Sequence, residues 1–267
     1  MRKYLIVFVF PLLMWGCSEY NKVLKSNDPE LKFTKSIEYY NEGECYKALP
    51  LLEELLSVVK GTQRAEDVYY YYAQVHYCVK DYYLANYYLK TFTKTFSSSP
   101  RAEECLFLAA MCNYQLSPKF TLDQQDTRNA IDEFQLFLDR YPQSELKDSC
   151  NTMIADLRYK LEVKEFENAK LYSTTEKYLA ASIALRDFVD QFPASQFAEE
   201  AMHLIVKNTY QYATNSIEAK KLERFEETTK SYLNFVTRFP ESKLLKESEK
   251  YYQDSLAEIE KLKTQKS

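Results

Sequence analysis

The sequence predicts an all-α protein, a tetratricopeptide-like superhelical solenoid of about five helix pairs plus a C-terminal helix. The first observation is a stripe of apolar residues that recurs five times at offsets 0, 3, 4 and 7, each copy closed by a turn and a hydroxyl residue. The copies are Leu52/Leu55/Leu56/Val59 then Thr62, Leu89/Phe92/Thr93/Phe96 then Ser99, and Phe134/Phe137/Leu138/Tyr141 then Ser144. Two more follow, Leu185/Phe188/Val189/Phe192 then Ser195 and Tyr232/Phe235/Val236/Phe239 then Ser242. These offsets share one face of an α-helix, so each copy is the buried stripe of a helix. The second observation is that few segments alternate with period two, while Ala, Leu, Glu and Lys recur at helical spacing. The third is the presence of only 3 glycines in 267 residues, which argues against phosphate loops, dinucleotide fingerprints and tight hairpins.

The elements follow in chain order. Between the stripes lie partner helices near 30–41, 63–79, 100–116, 145–172 and 196–213, and a charged helix near 243–263 closes the chain. Stripe endings fall at 59, 96, 141, 192 and 239, a spacing at or above the ~34 residues of a tetratricopeptide repeat. In the first repeat, Gly43 and Ala48 are expected to permit close helix approach. Pro142, Pro193 and Pro240 each end the helix before them, because proline lacks a donor and restricts its predecessor. Pro100 is expected at a first helical position. Ser99, Ser144, Ser195 and Ser242 can accept from N–H groups at the start of the next helix, with Glu103, Asp148 and Glu199 adding negative charge in its first turn. The polar stretch Ser117 to Thr127, with Pro118 inside, is expected to bulge from one face.

The N-terminus reads as an address. Arg2 and Lys3 precede an apolar run from Tyr4 to Trp15, too short for the ~20 residues that span a bilayer, so residues 1–16 read as a signal peptide. The junction Met14-Trp15-Gly16-Cys17 resembles a bacterial lipoprotein cleavage box with Cys17 as the acyl acceptor. Ser18 lacks the retention signal of inner-membrane lipoproteins, and only Glu19 follows as an acid. The expected place is the periplasmic face of the outer membrane, reached through a leash, residues 17–28, in which 19–28 is polar and unpatterned. The domain expectation then runs 29–116 for the N-terminal repeats, 117–174 for a middle repeat with its loop, and 175–267 for the C-terminal repeats and capping helix.

Chemistry is sparse. His76 and His203 are far apart in the repeat order, and His76 lies two residues from Cys78 on a different helix face, so no metal site is expected. Beyond Cys17, five thiols remain: Cys45, Cys78, Cys105, Cys112 and Cys150. All sit in or beside apolar stripes, where free cysteine behaves as a small hydrophobe, and buried thiols are the preferred reading with one interhelical disulfide as its rival. The acidic pairs Glu53/Glu54, Glu103/Glu104 and Glu199/Glu200 read as solvated faces, and no cofactor or enzyme activity is implied. A net charge of −4 without a basic stripe excludes a nucleic-acid binder. Tyrosine is concentrated in the second repeat. Some of these phenols belong to the core, and Tyr69, Tyr72, Tyr77 and Tyr83 are the candidate lining of a peptide groove.

Two stretches carry a family resemblance. Asp123 to Ala130, Phe134 to Leu138 and Asp139 to Ser144, continued by Leu157 to Leu161, Lys170 to Tyr172, Tyr178 to Ala181 and Phe192 to Ser195, resemble the BamD family. These are the tetratricopeptide lipoproteins of the outer-membrane β-barrel assembly machinery. The resemblance implies a multiply acylated Cys17, with chains such as palmitate, and a non-catalytic scaffold. It implies that C-terminal repeats, here 175–263, grip a periplasmic domain of BamA alongside other assembly subunits. It implies that N-terminal repeats, here 30–116, receive unfolded barrel proteins. Arg186, the only basic side chain of the helix from 176 to 191 beyond its first turn, is the candidate partner contact. Two other classes remain open, a pilotin-like or secretion-system lipoprotein and a surface nutrient-capture lipoprotein.

Overall fold

The computed structural model describes residues 19–265. The expected leader, residues 1–16, and the acyl acceptor Cys17 lie outside the described residues. Eleven long helices follow in order: α1 (Pro29–Asn41), α2 (Cys45–Val58), α3 (Ala65–Cys78), α4 (Tyr82–Thr95), α5 (Ala102–Leu116), α6 (Gln125–Arg140), α7 (Lys147–Thr174), α8 (Tyr178–Gln191), α9 (Ala198–Thr214), α10 (Glu218–Arg238) and α11 (Leu245–Thr264). No strand occurs among the described residues. Consecutive helices, joined by short turns, pack in pairs as tetratricopeptide-like repeats do. The chain divides into two compact units, residues up to 158 and residues from 159 onward, and α7 contributes side chains to both.

The predicted stripes are the core, graded by offset. The offset 0 and 3 positions of the second, third and fourth copies are almost sealed: Leu89, Phe92, Phe134, Phe137 and Leu185 are fully buried and Phe188 is 2% exposed. Positions at offset 7, such as Phe96, Tyr141, Phe192 and Phe239, pack at the margin of the same clusters. In the first unit Phe33, Leu52, Leu55, Val68 and Val75 form one cluster, Leu89, Phe92, Cys105 and Ala109 another, and Phe134, Phe137, Cys150 and Leu157 a third. In the second unit Phe166, Leu185, Phe188, Val206 and Phe235 pack together, with Phe225 and Leu262 closing its end. Removing one of these sealed rings would cost about 3–5 kcal/mol through lost transfer energy and the cavity left behind.

The turns repeat one device. Ser99, Ser144, Ser195 and Ser242 accept hydrogen bonds from the backbone N–H two residues on, at Arg101 (3.1 Å), Leu146 (3.1 Å), Phe197 (2.9 Å) and Leu244 (3.1 Å). Three of the hydroxyls also donate to a glutamate on the preceding partner helix: Ser99 to Glu66 (2.6 Å), Ser195 to Glu162 (2.5 Å) and Ser242 to Glu199 (2.5 Å). One residue thus fixes the turn and ties it to its neighbour. Acidic residues occupy the first turns of α5, α7 and α9 as expected. Pro100 lies two residues before the first residue of α5, in the turn rather than at a helical position.

Four further details differ from the sequence reading or add to it. Gly43 does not serve close approach, since a Cβ added there would meet nothing within 4 Å; it is needed for its φ of +77°. Its N–H donates to Tyr40 O (3.0 Å) and that of Glu44 to Tyr39 O (2.8 Å), the left-handed helix ending that satisfies terminal carbonyls. Part of the leash is folded: residues 19–24 are helical, Val23 is buried, and Tyr20 meets Tyr39 edge-on at 5.7 Å. In the loop expected to bulge, Thr121, Leu122 and Asp123 are exposed, and one side chain that the sequence reading passed over pins it inward, Gln124, which is fully buried. Its amide donates to the carbonyls of Lys119 (2.9 Å) and Leu122 (3.0 Å), its carbonyl accepts from Thr127 Oγ1 (2.7 Å), and Thr127 also meets Ser117 (2.6 Å).

The fourth difference concerns the thiols. Cys45, the first residue of α2, and Cys78, the last of α3, form a disulfide with Cα atoms 6.2 Å apart. The preferred reading of five buried thiols is therefore corrected to one disulfide and three buried thiols, Cys105, Cys112 and Cys150. Cys78 is an exposed residue. Spacing alone did not reveal the pair because two helix ends meet only once the hairpins stack.

Candidate functional site

In the second unit, α8 carries Arg186 and α10 carries Glu227 and Ser231. The guanidinium donates to Glu227 Oε1 (2.7 Å) and to Ser231 Oγ (3.2 Å). On one side of this pair lies a cavity of about 560 Å³, bordered by Asp190, Met202, Lys230, Asn234 and Arg238. On the other side lies a cavity of about 310 Å³ bordered by Leu179, Thr209, Tyr212 and Arg224, where the Arg224 guanidinium sits 4.0 Å from the centre of the Tyr212 ring. Arg186 and Glu227 border both, so the ion pair separates two recesses whose walls alternate in sign. Small-molecule sites are enclosed and mostly apolar, whereas alternating charge beside short apolar stretches suits a protein surface.

The first unit does not gather the four tyrosines on one face. Tyr72 is 5% exposed and lies between His76 and Tyr88, each with ring centroids 4.6 Å away; burial pushes its phenol well above the usual range. Tyr69 packs edge-on against Phe96 (5.9 Å) and Tyr77 against Tyr82 (5.5 Å), at the margin of the second core cluster. Tyr83 stands apart, 66% exposed, with its hydroxyl 3.4 Å from Asp126.

A different polar and aromatic cluster is built by repetition. Arg101 pairs with Asp67 (2.7 Å) and lies over the Tyr70 ring at 4.5 Å; Arg64 pairs with Glu30 (2.8 Å) and lies over Phe33 at 4.7 Å. The Tyr70 hydroxyl donates to Glu104 (3.0 Å), which also accepts from Gln74 (3.0 Å). Phe33 and Tyr40 both meet Tyr71 edge-on, at 6.2 and 5.7 Å. The signal was present in the sequence: Glu30, Phe33 and Arg64 recur as Asp67, Tyr70 and Arg101 at the stripe spacing. Each arginine stabilises its turn through a carboxylate and a ring face together.

Neither histidine is placed for chemistry. His203 Nδ1 lies 2.8 Å from Ser248 Oγ and Nε2 3.6 Å from Glu247, but Ser248 is fully buried and no substrate can reach it. His76 is 3% exposed with neither ring nitrogen hydrogen-bonded. Burial lowers the pKa of both rings, against the opposing pull of Asp81 and Glu53 on His76 and of Glu247 on His203. Among the described residues no three or more His, Cys, Asp or Glu are grouped to hold a metal ion, and no helix is long and apolar enough to cross a membrane.

Two comparisons bear on these surfaces. The YfiO family model, described as an outer membrane lipoprotein, matches residues 25–225. A protein of Aquifex aeolicus (strain VF5), provisionally named outer membrane protein assembly factor BamD, is 25% identical over 262 residues, covering 94% of this chain and 83% of its own length. The matched span takes in the repeats of the first unit and the second unit as far as α10, and it agrees with the resemblance read from Asp123 to Ser195. The chain belongs to the YfiO family of outer membrane lipoproteins and is BamD-like.

Proposed function

We propose that this protein is a periplasmic scaffold, tethered to the outer membrane through acylated Cys17, that assists folding and insertion of β-barrel proteins. It does so by binding the barrel-forming subunit BamA and unfolded barrel substrates, and it contributes binding rather than catalysis. The observation that carries this reading is the family match over residues 25–225 together with a BamD-named relative aligned over nearly the whole chain. The Cys45–Cys78 disulfide supports the location, because such bonds persist in oxidising compartments such as the periplasm. The repeat architecture supports the mode of action, since stacked helix pairs offer extended surface for protein partners.

In this reading residues 175–263 dock BamA and residues 30–116 receive substrate. Arg186, poised between two recesses and held by Glu227, exchanges that carboxylate for one supplied by the partner. The test is affinity purification of the full chain from detergent-solubilised membranes, with identification of the stoichiometric partner. Recovery of the BamA subunit is expected, and Arg186→Glu should reduce it severalfold through like-charge repulsion. Recovery of a secretin, a motility complex or a nutrient transporter instead would overturn the assignment. Undiminished recovery with Arg186→Glu would remove that residue from the interface.

A further inference from the structure

The two sulfurs of the disulfide face different surroundings. Cys45 is 2% exposed and belongs to the core cluster of Phe33, Ala48, Leu52 and Val68, whereas Cys78 is an exposed residue at the end of α3. Thiol–disulfide exchange needs in-line approach to one sulfur from the side opposite its partner. Cys45 lies among packed core side chains, whereas Cys78 is the residue of the pair that solvent reaches. The remaining thiols cannot serve as internal attackers. Cys105, Cys112 and Cys150 are fully buried, and burial pushes their thiols up to about 12, 12 and 11. The bond also has no counterpart one repeat further on, because the residues at that stripe spacing are Tyr82 and Gln115.

We propose that Cys45–Cys78 is a thiol-exchange site entered only through Cys78, and that its partner is an external dithiol such as that of a thiol–disulfide oxidoreductase. The thiolate of the dithiol attacks Cys78 Sγ, the Cys45–Cys78 bond breaks, and Cys45 leaves as a thiolate that takes a proton. The second thiol of the dithiol then attacks the mixed disulfide and releases the Cys78 thiolate, which is protonated in turn. Two electrons pass from dithiol to protein, and the dithiol ends as a disulfide. The covalent tie between α2 and α3 is thereby removable, while the apolar cluster of Phe33, Leu52, Leu55, Val68 and Val75 keeps the hairpins in place. This inference holds whichever protein partner the chain binds.

The test uses the full chain with dithiothreitol as the dithiol, followed by alkylation and peptide mapping. Without denaturant the bond should open, the helical circular dichroism should persist, and Cys78 should be alkylated at least roughly tenfold faster than Cys45. Reduction that proceeds only when denaturant is added would overturn the proposal, as would faster alkylation of Cys45. Oxidised glutathione gives an independent measurement. Cys45→Ala should form a mixed disulfide on Cys78, and Cys78→Ala should form none on Cys45; the reverse pattern, or an adduct on neither variant, contradicts one-sided entry.

Discussion

Replacing both bridging cysteines, Cys45→Ala with Cys78→Ala, removes a crosslink between residues 33 apart in sequence. A loop of that length restricts the unfolded chain by about 12.5 cal/mol/K in the chain-entropy relation, equivalent to roughly 3.7 kcal/mol at 25 °C. Alanine keeps position 45 apolar, so the buried site itself loses little more than one sulfur atom. The first unit should then melt about 10 °C lower, given the few degrees per kcal/mol expected for a domain of its size. Differential scanning calorimetry of the oxidised wild type and the variant measures the shift. Hydrogen exchange then locates it, with faster exchange expected in α1, α2 and α3 and unchanged exchange in α9 and α10. Wild type treated with dithiothreitol should melt with the variant. A shift under about 2 °C, or loosening confined to the second unit, would refute the assignment of this bond as the staple of the first repeats.

Three other perturbations follow from particular residues. Lys80 and Glu176 hold φ of 63° and 59°, with the same terminal hydrogen bonds as Gly43. Lys80→Gly and Glu176→Gly should therefore each stabilise their unit by about 1 kcal/mol in urea titrations, and a loss of stability would contradict the strain. Gln124→Leu removes the amide from which the carbonyls of Lys119 and Leu122 accept and the carbonyl to which Thr127 donates, so it should cost about 1–3 kcal/mol and expose the 117–124 loop to limited proteolysis. His76 has a folded pKa below its unfolded value, so the unfolded chain binds the proton first on acidification. Its contribution is complete above about pH 6.5 and is lost as pH falls towards the folded pKa; His76→Phe should flatten that part of the stability–pH curve, which an unchanged slope would contradict.

What the sequence displayed was whatever depends on local periodicity. The stripes at Leu89/Phe92 and Phe134/Phe137 mark their own helices because burial on one face imposes the spacing, and the turn serines announce themselves because they act within two residues. Long-range meetings were hidden. The Cys45–Cys78 bond, the stacking of Arg101 on Tyr70 and the pairing of Arg186 with Glu227 each join residues 31 or more positions apart. Only the stacking of repeats decides which of them touch. The tyrosines show the same limit: four in a row point all around α3, so composition could not separate buried Tyr72 from partly covered Tyr69. Gln124 was missed because its role is to satisfy carbonyls of an irregular loop, and that leaves no periodic trace.

The most direct measurement of the central claim is depletion of this protein in its native host, followed by the folded fraction of outer-membrane β-barrels, read from heat-dependent electrophoretic mobility. The account predicts that folded barrels fall as the protein disappears and that a Cys17→Ala form fails to restore them. Barrels that remain fully folded and abundant after depletion would contradict it.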